Sequence, residues 1–180
     1  DLNVTHNNIQ MFQGANDSNG IPASAGLSLP PRNTWHSMTS YEGLAYDWGS
    51  GRGNESRRRF GPELAFGFDV QQQLGSPVAL IKYARGSSSI APSTAQSGGV
   101  WRDFDPSDGE RLNQYDKLVS TIQAAVNSLP AGQVLNLRGV VWMQGESDAN
   151  GGDAPHYEEA LVEMMSALRM DLHAPDLVVL

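Results

Sequence analysis

Apolar positions fall into two regimes along the chain, and the change comes near residue 60. Beyond it they recur with regular periods. Phe66, Val70 and Leu74 stand four apart after Gly61-Pro62, where a proline suits a first helical turn, and Gly75 supplies a stop, so a helix is predicted between them. Val78-Ala79-Leu80-Ile81-Lys82-Tyr83 is a nearly continuous apolar run and reads as a buried strand. Residues 87–108 are polar and loop-like. Leu112, Tyr115, Leu118, Ile122, Val126 and Leu129 then form a helical stripe ended by Pro130-Ala131-Gly132. A second strand lies within Val134–Met143, strongest at Val140-Val141-Trp142. Tyr157, Leu161, Met164, Leu168 and Leu172 mark a third helix, and a third strand starts at Leu177–Leu180. Before residue 60, glycines and prolines punctuate the chain at 14, 20, 22, 26, 30, 31, 43, 49, 51 and 53. Residues 1–59 are therefore expected to be loop-rich, with Ile9-Gln10-Met11-Phe12 the one plausible short strand.

Helices alternating with uniformly apolar strands imply crossover units on a parallel sheet. The strands near 78–83, 138–143 and 177–180 are expected to be neighbours in one sheet, sandwiched by helices. Ligands of such sheets sit beyond the carboxyl ends of the strands, so the residues following Tyr83 and Met143 are the informative ones.

Length and charge narrow the function. A chain of 180 residues with 39% hydrophobic content suffices for a single domain with a proper core. Twelve Lys and Arg against 20 Asp and Glu give a formal charge of −8, which argues against nucleic acid as a partner. The only basic cluster, Arg57-Arg58-Arg59, is too short for a polyanion tract. The absence of cysteine removes disulfide scaffolds, thiolate metal sites and cysteine nucleophiles. No apolar run approaches the roughly 20 residues that span a bilayer, so no membrane partner is expected. His6, His36, His156 and His173 have no metal-ligand spacing, and no nucleophile-elbow, phosphate-loop or dinucleotide motif is found. Neither metal nor cofactor is expected.

The strand ends carry the candidate chemistry. After the first strand comes Ala84-Arg85-Gly86-Ser87-Ser88-Ser89-Ile90. Gly86 permits a sharp turn that brings backbone N–H groups toward a ligand, where they can stabilise an oxyanion, and Ser87 beside it is a candidate substrate contact. The plainer alternative is a strand-to-loop glycine followed by solvated serines. After the second strand comes Trp142-Met143-Gln144-Gly145-Glu146-Ser147-Asp148. The Gln144 amide can donate to a developing oxyanion, and the Glu146 carboxylate can orient and charge-stabilise a histidine. Helix capping by Ser147 or Asp148 accounts for the acids but not for a glutamine at a buried strand end.

Three segments together resemble the SGNH hydrolase superfamily, in the branch of the sialate O-acetylesterases and acetyl-xylan esterases. They are Gly61-Pro62-Glu63-Leu64-Ala65-Phe66-Gly67, Ile81 through Ile90, and Val140 through Ala149, with Trp142-Met143-Gln144-Gly145-Glu146-Ser147-Asp148 the most specific; Tyr157 and Ala167-Leu168-Arg169 also fit. The resemblance covers residues from about 60 onward. It implies a three-layer α/β/α, flavodoxin-like fold with a parallel sheet, and a cofactor-free serine esterase that removes acetyl groups from carbohydrates. It further implies that Gly86 and Gln144 form the oxyanion hole and that Glu146 supports the catalytic histidine. Many members have His at the position of Met143, and whatever that histidine does is lost here.

The resemblance also defines two departures. The family's nucleophilic serine stands in a Gly-Gln-Ser-Asn or Gly-Asp-Ser block after the central strand, and its histidine in an Asp-x-x-His block. Neither is in its expected place. Asn16-Asp17-Ser18-Asn19 lacks the tight strand-to-nucleophile turn, so Ser18 reads as a turn serine. Asp153-Ala154-Pro155-His156 opens the third helix and reads as a helix start rather than a catalytic base. The chain is accordingly expected to be the middle of a longer polypeptide or one piece of a two-chain assembly, needing N- and C-terminal segments or a second chain, and not to fold by itself. An acetylated carbohydrate is the expected substrate and a secreted or extracellular location is expected. The competing expectation is a non-catalytic carbohydrate-binding or structural module on the same fold. Trp101, with Trp35, is a candidate sugar-stacking surface, with local packing as its alternative.

Overall fold

The structure, a computed structural model, describes residues 6–14, 33–38, 62–90, 99–101 and 113–180. Ser18 and Arg57-Arg58-Arg59 lie outside these. The elements are β1 (His6–Gln13), β2 (Trp35–Met38), α1 (Pro62–Leu74), β3 (Val78–Lys82), α2 (Gln114–Asn127), β4 (Gly139–Val140), α3 (Glu146–Gly151), α4 (Tyr157–Asp171) and β5 (Val178–Val179), with a single 3₁₀ turn at Ala154–His156. The class is α/β. Contacts divide the chain into two compact units, residues 1–84 with 124–131, and residues 85–123 with 132–180.

In the first unit β1 is the central strand, in the order β2-β1-β3. It runs antiparallel to β2 and parallel to β3, with Ile9 opposite Val78 through to Gln13 opposite Lys82. Gly14 extends the parallel ladder by donating its N–H to Lys82 O at 3.0 Å. Ile9, Met11 and Phe12 are all buried, so β1 is covered on both faces. The expected sheet grouped the strands at 78–83, 138–143 and 177–180. The described ladders instead place β3 in a sheet with β1 and β2, and β4 with β5 in another. The short strand expected at Ile9-Gln10-Met11-Phe12 lies within β1, whereas the turn residues flanking β2 in sequence conceal that strand from a pattern search.

Helix α1 packs on β1 and β3 and ends as expected, with Gly75 in the left-handed region at φ 59° and its N–H on Gln71 O at 3.0 Å. Its inner face differs from the Phe66–Val70–Leu74 stripe. Leu64 packs against the cluster of Ile9, Met11 and Met38, Gly67 is buried, and Leu74 is 64% exposed. A Cβ placed on Gly67 would stand 2.9 Å from Leu80 Cδ1 and 3.4 Å from Ile9 Cγ2 and Met38 Cε. The helix thus meets the sheet at a residue without a side chain, which an apolar periodicity cannot register. Glu63 in the first turn pairs with Lys82 at the end of β3. The Trp35 ring tilts at 57° against Phe12, centroids 5.3 Å apart, and its indole N–H donates to Ala125 O at 2.9 Å.

In the second unit, Val100 bridges in parallel to both Ser89 and Asn113. Asn113 Oδ1 accepts the Asp116 N–H at 2.9 Å and so caps the start of α2. Tyr115, near that start, donates its hydroxyl to Asp171 Oδ2 at the end of α4 at 2.6 Å. Strands β4 and β5 pair in parallel, Gly139 opposite Val178 and Val140 opposite Val179, and bonds from Trp142 N–H to Leu180 O and from Leu180 N–H to Val140 O, each 2.9 Å, carry the ladder onward. Helix α4 buries Met164, Met165 and Leu168, and Arg169 Nε donates to Leu177 O at 3.1 Å, tying the helix to the start of β5. Val141, Met143, Val178 and Leu180 are exposed, contrary to the expectation of strands buried on both faces. Among the described residues no helix is long and apolar enough to cross a membrane.

Candidate active site

The turn after β3 and the turn after β4 belong to the second unit from Arg85 onward, and they meet through buried polar groups. Residues 85–88 form a tight turn closed by Ser88 Oγ donating to Arg85 O at 2.7 Å. Gly86 and Ser87 occupy its middle and are both exposed. The left-handed residue here is Ser87, with φ 57°, so the sharp bend expected of Gly86 is made one position later. A non-glycine residue in that region stores local strain, a feature that clusters at functional sites. The Gly86 N–H makes no hydrogen bond to another described residue.

Ser88, Ser89 and Ile90 turn inward and are buried. Ser89 donates its N–H to Gly99 O at 3.0 Å and accepts the Trp101 N–H at 2.9 Å. Trp101 is 3% exposed: its indole N–H donates to Ser88 Oγ and its ring meets Trp142 edge-on at 89°, centroids 5.1 Å apart. This geometry matches the local-packing alternative for Trp101, since a ring so covered offers a sugar almost no face.

On the other turn, Gln144 is the connecting side chain. Its Nε2 donates to Ser88 O at 2.8 Å and to Asp148 Oδ2 at 2.7 Å. The two acceptors fix which end of the amide is nitrogen, because a flipped amide would face oxygen with oxygen. Both amide hydrogens are thereby engaged. Asp148 is fully buried, and its other oxygen, Oδ1, accepts the Ile90 N–H at 3.0 Å. It lies inside α3 rather than at its cap. The N-cap is Gly145, with φ 154° and no side-chain cap bond. Glu146 opens α3, is exposed, and accepts the Gly145 N–H at 3.2 Å. Among the described residues no histidine hydrogen-bonds its carboxylate. His156 is exposed in the 3₁₀ turn, and Asp153, at that turn's N-cap, makes no side-chain cap bond.

Tyr157 supports the Gln144 turn from below. Its hydroxyl accepts the Trp142 indole N–H at 3.0 Å and donates to Gln144 O. Burial pushes its phenol pKa above the usual value; the Trp142 bond opposes this, and the nearby carboxylates of Asp148 and Glu146 add to it. The phenol thus stays neutral and available as a donor. Among the described residues no cluster of acids and histidines could hold a metal ion.

The structure therefore joins Gln144 to the Gly86–Ser87 turn through Ser88 and leaves Gly86, Ser87 and Glu146 exposed around that junction. Sequence reasoning singled out the serine row and Tyr157 but not the roles of Ser88 and Asp148. The four-residue step from Gln144 to Asp148 was a legible signal, since residues at that spacing adjoin on a helical turn.

A solved structure from Arabidopsis thaliana is similar to this chain at a TM-score of 0.58 and 21% identity, which establishes the likeness of fold. The alignment covers 98% of this chain and 56% of that one, so the chain spans little more than half the length of the similar structure. No curated protein sequence matches it. The family model for carbohydrate esterases described as sialic acid-specific acetylesterases matches residues 4–180, nearly the whole length. On that match the chain belongs to the carbohydrate esterase family of sialic acid-specific acetylesterases.

Proposed function

We propose that this chain supplies the oxyanion-binding side of a serine esterase that removes O-acetyl groups from carbohydrates. The observation that carries the reading is the Gln144 amide fixed between the two strand-end turns, on the carbonyl of Ser88, two residues after the exposed Gly86. In the reaction a serine hydroxyl adds to the acetyl carbonyl while a histidine takes its proton. The tetrahedral oxyanion collapses, the sugar oxygen leaves with that proton, and water repeats the cycle to release acetate. Gly86 N–H and one Gln144 hydrogen stabilise the oxyanion, and Glu146 supports the imidazolium. The Gln144 hydrogen now on the Ser88 carbonyl is the one to exchange, because a charged oxygen is the stronger acceptor. Ser87, exposed beside Gly86, faces the substrate in this reading.

The engagement of both Gln144 hydrogens favours a second reading, in which the glutamine only braces a non-catalytic carbohydrate-binding or structural module. Acetyl-ester hydrolysis by the full chain, on acetylated sugars and on a simple aryl acetate, separates the two. Under the esterase reading Gln144→Ala lowers kcat by about 10²- to 10³-fold with the fold intact, and Glu146→Gln slows turnover. An unchanged kcat in Gln144→Ala removes the oxyanion role. Sugar binding without any hydrolysis by the complete protein establishes the module.

A further inference from the structure

We propose that Asp148 is a positioning residue: from a fully buried site it holds Gln144 in register with the turn after β3, and so sets where the second Gln144 hydrogen points. The proposal rests on the esterase reading for its catalytic half only. Its geometric half rests on three observations. Asp148 is 0% exposed, its two oxygens separate their tasks, and the donors they engage lie far apart in the chain. Oδ1 takes the Ile90 backbone N–H, 58 residues away, and Oδ2 takes the Gln144 amide.

A glutamine side chain has three free torsions, and a single hydrogen bond leaves its amide able to swing. Two acceptors on the same nitrogen, the Ser88 carbonyl and the Asp148 carboxylate, fix the amide plane. Once an oxyanion displaces the Ser88 carbonyl, Asp148 is the partner left on the amide nitrogen, with the Tyr157 hydroxyl 3.3 Å from the amide oxygen on its other side. The carboxylate then decides whether the freed hydrogen is aimed at the reacting oxygen or wanders. Because the same carboxylate anchors Ile90, four residues beyond Gly86, it holds both oxyanion donors to one reference point. A carboxylate rather than an amide suits the task, since both donors need acceptors and an asparagine offers one acceptor and one donor.

The test is Asp148→Asn in the full chain, which keeps the shape. Two readouts are independent of activity: hydrogen exchange at the Ile90 backbone amide and the side-chain amide resonances of Gln144. The expected result is faster exchange at Ile90 or a displaced and broadened Gln144 amide pair, according to which bond the asparagine keeps. With that comes a fall in kcat of about 10²-fold, the scale on which ångström misplacement acts, and a KM changed by less than about twofold. Asp148→Ala is expected to lose kcat at least as strongly. If the Asn variant is as active per folded molecule as the parent, with only its melting temperature lowered, Asp148 is structural and the proposal is overturned. If it fails to fold, the Gln144 resonances of the parent decide: slow exchange of both amide hydrogens supports the clamp, and free rotation overturns it. If the parent itself hydrolyses no acetyl ester, the esterase reading falls, while the exchange measurements still decide the clamp.

Discussion

Removing one oxygen, in Tyr157→Phe, tests how firmly the Gln144 turn is held. The Tyr157 hydroxyl accepts from Trp142 Nε1 at 3.0 Å and donates to Gln144 O, and both partners are half-buried. Phenylalanine preserves the ring packing on Gly145, where an added Cβ would stand 3.5 Å from the phenol carbon. It leaves an indole N–H and a carbonyl without this partner. At a net value of about 1 kcal/mol for each bond, the loss is about 2 kcal/mol. For a chain of this size that lowers Tm by about 4–8 °C. Calorimetry at pH 7 measures it. The pH dependence supplies a second arm. Burial raises the folded-state pKa of Tyr157, so the folded protein keeps the phenol proton after the unfolded chain begins to lose it. The stabilisation is complete below the unfolded tyrosine pKa, about 10, and is lost as pH rises through the folded value. The gap in Tm between parent and Tyr157→Phe therefore narrows above about pH 10. A Tm within about 1 °C of the parent at pH 7, against the 2–4 °C expected per kcal/mol, would refute the bracing role, as would a gap that widens in alkali.

Two further substitutions probe the scaffold. Gly67→Val forces two methyl groups into the α1 contact with Leu80, Ile9 and Met38 and is expected to destabilise by about 1–3 kcal/mol in urea titration; Gly67→Ala stays closer to neutral, because the gain in helix propensity, about 1 kcal/mol, offsets the shift of one Leu80 methyl. Asn113→Ala removes the oxygen that receives the Asp116 N–H and should cost about 1 kcal/mol by the same assay, and an unchanged midpoint would show that the cap is dispensable.

How much was legible from sequence depended on the range of the interaction. The stripes of α2 and α4 placed both helices, because an amphipathic period is a local property that packing then uses: Tyr115 and Ile122, and Met164 and Leu168, are buried as the stripe requires, whereas Val126 of the α2 stripe is exposed. The strand ends at Gly86 and Gln144 were legible for a similar reason. The inner face of α1 was not, since its contact is made by Gly67, which contributes no apolar atom to a pattern. Nor were β1 and β2 in their full extent: β1 is placed by its pairing with β3, some seventy positions along the chain, and its flanks read as turn. The partnership of Gln144 with Ser88 is invisible for the same cause, spanning 56 residues. Trp101 illustrates the opposite error. An aromatic in a polar loop invites a ligand-stacking role, but the structure turns it inward onto Trp142 and Ser88.

The chemistry around residue 144 explains why glutamine stands there whether or not a substrate ever arrives. Two acceptors, the Ser88 carbonyl and an Asp148 oxygen, converge on one point within reach of the side chain. Only a group with two hydrogens on one nitrogen satisfies both. Glutamate would set a second carboxylate against Asp148, leucine would take this donor away from both acceptors at about 1–3 kcal/mol apiece, and asparagine is one methylene short. Asp148, for its part, is tolerable in a fully buried position because hydrogen bonds replace its lost water on both oxygens. A Gln-x-x-x-Asp pair of this kind is therefore self-consistent as scaffold, independently of any contact between the glutamine and reacting atoms. Stability and turnover must be read on the same variants. A substitution at Gln144 that lowers kcat far beyond its effect on Tm assigns the amide to the transition state, whereas losses that move together assign it to the frame.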